Sequence, residues 1–121
     1  MIKSIAFFCY PVTDIKKSRE FYEGFLGLTP NGEYDKDPNT KYVEYTIGDW
    51  TLAIGSDDGW PVAPDAGASA ALEVEDFEGW VKKIQDAKIP VKVGPFDFPS
   101  CQMIVIHDSD KNKITLHRKK K

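Results

Sequence analysis

Two short segments, Val12-Thr13-Asp14 and Val74-Glu75-Asp76, share one pattern and stand 62 residues apart in a chain of 121. In each, a β-prone run gives way to an acidic residue that can cap a helix. Apolar residues then recur at helical spacing: Ile15, Phe21, Tyr22 and Phe25 up to Gly27 in the first case, and Phe77, Trp80, Val81, Ile84 and Ala87 before Pro90 in the second. The flanking elements repeat as well. Residues 5–12 read as a strand with Pro11 near its end, where a missing N–H donor is tolerated. Beyond a polar stretch around Pro38-Asn39, residues 42–47 and 50–55 read as a hairpin turned by Gly48-Asp49, with a weaker strand near 31–35. The second half offers strands at 69–75, 90–94, 101–107 and 113–118, the last two joined by Asp108-Ser109-Asp110-Lys111-Asn112. Each half therefore reads β-α-β-β-β. Gly59, Pro61, Pro64 and Gly67 crowd residues 56–68 and mark the linker. Because a half of ~60 residues has little core of its own, the expectation is one α+β domain over 1–121. Its modules would span about 1–58 and 68–121, with a linker at about 59–67.

Hydrophobic types make up 41% of the chain and charged types 29%, a mixture that can bury a core. The net charge of −3 and a single basic cluster, the tail Arg118-Lys119-Lys120-Lys121, give no footing for nucleic acid. No apolar run approaches the ~18 residues of a membrane span, and Met1-Ile2-Lys3-Ser4 does not open a signal peptide. A cytoplasmic protein with no membrane partner is expected. Cys9 and Cys101 are too far apart for a zinc knuckle or a redox pair, and reduced thiols are the default. The Asp-rich turn lacks the Gly and Glu of a calcium loop and is expected to bond its own backbone. No phosphate-binding loop, dinucleotide fingerprint, nucleophile elbow or HExxH occurs.

Val12-Thr13-Asp14-Ile15 with Ser18, Phe21-Tyr22 and Leu26-Gly27-Leu28, together with Asp108-x-Asp110-x-Asn112-x-Ile114, resembles the vicinal oxygen chelate superfamily. That superfamily includes glyoxalase I, extradiol dioxygenases and bleomycin resistance proteins. The resemblance implies two βαβββ modules forming a curled mixed sheet with a concave cup, often completed by a second subunit, so a homodimer is expected. Metal-dependent members carry ligands on the first and last strands of each module. Those positions correspond here to Phe7, Ala53, Ser69 (or Ala70) and Thr115. None is His, Glu, Asp or Cys, the types that hold catalytic metals. Neither a metal nor a cofactor is expected.

Strand alternation indicates what lines the cup instead. With Phe7 inward, Cys9 and Pro11 follow; on the second half Ser69, Ala71 and Glu73 share a face, while Leu72 and Val74 pack under the helix. Thr115 inward brings His117, and Ile106 opposite Ile114 pairs Met103 with His117 and sets Cys101 diagonally from it. Cys101 and His117 are either an activated thiol pair or a semi-buried thiol beside a rim residue. Glu73 is a candidate general base or a solvated carboxylate. Glu44, on one side with Tyr42 and Thr46, is a polar anchor or a surface residue. Trp50 and Trp60 wall a ligand cavity, or Trp60 plugs the gap between halves or meets a partner subunit. His107 is read as exposed. The expected function is metal-independent binding of a small organic molecule by Phe7, Cys9, Glu44, Trp50, Trp60, Met103 and Thr115. The alternative is a glyoxalase-like lyase, isomerase or dioxygenase working through Cys101, His117 and Glu73 or an unrecognised metal site.

Overall fold

The computed structural model describes residues 1–37 and 40–121. The polar stretch around Pro38-Asn39 lies outside the described residues. The chain divides into two compact units, Met1–Val62 and Ala63–Lys121.

In the first unit β1 (Phe8–Pro11) leads to α1 (Ile15–Arg19), which widens into a π-helical segment, Glu20–Phe25. β2 (Pro30–Asp37), β3 (Thr40–Ile47) and β4 (Trp50–Ser56) follow. Asp14 caps α1, its carboxylate accepting the Lys17 N–H at 3.2 Å. The sequence pattern reads as one α-helix from there to Gly27, but the second half is wider, with the Leu26 N–H reaching back to the Phe21 carbonyl. That winding lets the adjacent pairs Phe21-Tyr22 and Phe25-Leu26 all become buried. Gly27, at φ +76°, then ends the helix in the left-handed conformation that glycine adopts without strain. The core is aromatic: Tyr22 is fully buried and lies 6.2 Å from the rings of both Tyr10 and Tyr45.

The second unit repeats this order as β5 (Ala70–Glu73), α2 (Phe77–Asp86), β6 (Val91–Asp97), β7 (Cys101–His107) and β8 (Lys113–Lys119). Asp76 caps α2 through the Gly79 N–H at 3.0 Å. Here the core is aliphatic, with Phe77 and Ile84 of the helix over Ile104, Ile106, Ile114 and Leu116 of the sheet. The 62-residue offset extends to individual bonds. The Val12 N–H donates to the Gly55 carbonyl and the Val74 N–H to the His117 carbonyl, both at 2.8 Å.

The expected single curled sheet with a concave cup is not what forms. The strands make two separate open four-stranded sheets, ordered β1-β4-β3-β2 and β5-β8-β7-β6. In each, the first strand pairs parallel with the last and the remaining pairs are antiparallel. No ladder joins one module's strands to the other's among the described residues, so the ladder that would curl them together is missing. Strand limits also differ from the sequence reading: the first strand begins only at Phe8, the weak strand near 31–35 is the eight-residue β2, and β6 extends through Asp97 past two bulges. The Asp108 turn forms as expected, with Oδ1 accepting the N–H groups of Asp110 and Asn112. No helix among the described residues is long and apolar enough to cross a membrane.

Candidate functional site

In each unit the helix covers one face of the sheet, and the other face carries the candidate residues. On the first sheet the pairings Cys9 with Ala53, Glu44 with Ala53 and Tyr42 with Gly55 put all five residues on the side away from α1. Phe7, just before β1 and half exposed, meets the Tyr42 ring edge-on at 6.4 Å between centroids. The Tyr42 hydroxyl donates to Glu44 Oε2 at 3.2 Å. Trp60 arrives from a turn in which Asp57 accepts the N–H groups of Gly59 and Trp60. Its ring lies over Gly55, where a Cβ atom would stand 3.2 Å from Trp60 Cζ3 and 3.4 Å from Tyr42 Cδ2. A glycine inside a strand, which signals close approach, was the clue to this packing that sequence reasoning passed over, along with Tyr42 as its third ring. Burial, and secondarily the Glu44 carboxylate, pushes the Cys9 thiol up to about 12, so Cys9 is a neutral, weakly polar surface and no nucleophile.

Trp50 does not join this group. Its pairing with Ile47 sets it on the helix side of the sheet, opposite to Ala53, and it is largely exposed. Strand alternation accounts for this, since Trp50 and Ala53 are an odd number of residues apart.

On the second sheet, Ala71 pairs with Thr115, Glu73 and Met103 both pair with His117, and Cys101 pairs with Lys119. Glu73, Met103, Thr115, His117 and Cys101 therefore share the face away from α2. Two contacts organise them. Ser69 Oγ and Thr115 Oγ1 are 3.2 Å apart, and Glu73 Oε1 lies 2.5 Å from His117 Nδ1. Glu73 Oε2 also accepts the Lys119 backbone N–H at 2.7 Å. That backbone bond first, and the imidazole second, hold the Glu73 carboxyl below the usual carboxylate range. Cys101 stays on this face as a free, half-buried thiol, while the imidazole Nδ1 it would share is bonded to Glu73.

His107, read from sequence as exposed, is instead mostly covered. Its Nε2 lies 2.8 Å from Asp65 Oδ1, and Lys92 takes the other Asp65 oxygen. Asp65 sits in the linker, 42 positions from His107, and no local pattern announces so distant a partner. Together Lys92 and His107 hold the Asp65 carboxyl down to about 2.

The four positions that correspond to metal ligands do not fit a cation. Phe7 presents a ring, Ala53 is fully buried with only a methyl group, and the hydroxyls of Ser69 and Thr115 bond each other. Nor do three His, Cys, Asp or Glu side chains converge anywhere among the described residues.

Comparison with known proteins adds four findings. The family model of the Glyoxalase/Bleomycin resistance protein/Dioxygenase superfamily matches residues 4–116. Metallothiol transferase FosB of Staphylococcus epidermidis is 26% identical over 123 residues, covering 96% of this chain and 82% of that protein. Among solved structures, the genomically encoded fosfomycin resistance protein FosX from Listeria monocytogenes is similar with a TM-score of 0.79 at 15% identity, covering 99% of this chain and 96% of that one. TnmS3, an antibiotic binding protein from Streptomyces sp. CB03234, is similar with a TM-score of 0.78 at 21% identity, covering 98% of each.

Proposed function

The chain belongs to the glyoxalase/bleomycin resistance protein/dioxygenase superfamily, a fold capable of small-molecule binding, and from that premise we propose that it binds a small aromatic molecule without a resident metal. The observation that carries this reading is the face of the first sheet away from α1, where Phe7, Tyr42 and Trp60 cluster over Cys9, Ala53 and Gly55. Aromatic rings supply large contact area at little entropic cost, and the neutral thiol and methyl floor keeps the surface apolar. Glu44, held by Tyr42, is the polar group that orients a ligand donor.

Metal independence is supported by the donor set, because ring, methyl and paired hydroxyls are poor ligands for the divalent ions this superfamily employs. The name of TnmS3, an antibiotic binding protein, supports binding as a sufficient function for this fold. The test is titration with 2-naphthol, followed through the indole N–H resonances of the three tryptophans. Saturable movement of the Trp60 signal with Trp50 unmoved supports the reading; movement of none of them rejects it.

A further inference from the structure

Glu73 and His117 are adjacent because β5 stops short. β8 runs on to Lys119 after β5 ends at Glu73, so the Lys119 N–H on that edge has lost its ladder acceptor. The Glu73 carboxylate takes the vacated place at 2.7 Å, and this anchoring leaves its second oxygen on His117 Nδ1 at 2.5 Å. An ionised carboxylate only accepts. Nδ1 must therefore carry the hydrogen, and in the neutral ring Nε2 keeps the lone pair. The chain's other histidine, His107, has its Nε2 on Asp65, whereas His117 Nε2 has no protein partner among the described residues. Around it on the same face stand Met103 and Val105, an apolar bed, with Cys101 and His107 from β7 and Lys113 and Lys119 from β8 as the other titratable groups.

We infer that Glu73 and His117 form a proton-accepting dyad, in which His117 Nε2 takes the hydrogen of a weakly acidic O–H on a small molecule such as a phenol or enol. Glu73 is the positioning residue. The inference rests on the reading of the chain as a small-molecule binder and goes beyond it, adding on the second unit by itself a group that takes a weakly acidic O–H. In the transfer the O–H bond breaks, its electron pair stays on oxygen as phenolate or enolate, and the proton forms the Nε2–H bond of an imidazolium. Glu73 balances the new positive charge through Nδ1–H. No oxidant or further reactant is needed.

Two measurements decide it. In 15N-histidine spectra of the neutral protein, His117 is expected as the Nδ1–H tautomer. In Glu73→Gln the amide oxygen remains with the Lys119 N–H and turns its NH2 toward Nδ1, which reverses the tautomer. A wild-type His117 carrying its hydrogen on Nε2 overturns the dyad without any ligand or variant. The second measurement is binding of 4-nitrophenol, read by the absorbance of its anion. The bound probe is expected to ionise at least about tenfold more readily than the free one, as a phenolate beside an imidazolium does. Glu73→Gln and His117→Gln are expected to bind it chiefly as the neutral phenol. Binding of the neutral form by the wild type overturns the dyad and leaves the small-molecule reading standing. No binding to wild type or either variant overturns both.

Discussion

Gly55 has no side chain, and the Trp60 ring occupies the space one would fill. Gly55→Ala sets a Cβ atom 3.2 Å from Trp60 Cζ3 and 3.4 Å from Tyr42 Cδ2. We predict that the indole is displaced, that the Trp60 N–H resonance moves, and that stability falls by about 1 kcal/mol, the low end for overpacking; a chemical-shift map and a urea titration check this. Cys9 gives a second prediction. Its thiol ionises near 12 in the folded chain against 9.0 without the fold, so the folded state holds its proton longer. Stability is therefore unaffected below about pH 9 and declines as pH rises from there toward 12. Cys9→Ala is expected to remove that part of the decline in denaturation curves taken at pH 7 and pH 10.5. Sequence alternation set Cys9 on one side with Phe7, because a strand's period of two needs no knowledge of the fold, but it left the side of Glu44 open, which the cross-strand register with Ala53 fixes. The charge state of Cys9 was not legible, since it depends on burial and on Glu44 across two strands.

At the level of elements, the caps at Asp14 and Asp76 and the Asp108 turn were readable because each bonds within four residues. Asp14→Ala and Asp76→Ala should each cost about 1 kcal/mol, read as a shift in denaturation midpoint. The tie from Asp65 in the linker to Lys92 on β6 and His107 on β7 was not readable, because its partners are brought together only by the sheet. Asp65 is held to about 2 against 3.8 unfolded, so its contribution is complete above 3.8 and disappears as pH falls toward 2. Asp65→Asn is expected to lower stability at pH 7, with the difference from wild type vanishing near pH 2, as thermal melts at the two pH values will show. Salt is expected to weaken the effect, since the pair is partly exposed. The side of β4 that Trp50 takes was not readable either, because it follows from the pairing with Ile47, which sets Trp50 on the helix side of the sheet.

For the whole molecule, the 62-residue repeat carried most of what could be foreseen: two βαβββ units, each with a capped helix on one sheet face and chemistry-bearing residues on the other. What the repeat did not carry was how strands group into sheets, and the expected curled sheet gave way to two open ones. Pairing between distant strands is a property of tertiary contacts that local patterns do not encode. The same repeat explains why equivalent positions diverge in chemistry. Gly55 and His117 occupy matching places at the ends of the parallel ladders, yet one admits an indole and the other meets a carboxylate. Binding of an aromatic molecule with no metal involved can be read by calorimetric titration of 2-naphthol before and after exhaustive chelation and again with added zinc or manganese. One saturable heat with the same Kd is expected in all three conditions. A heat that disappears on chelation and returns with the metal would contradict it.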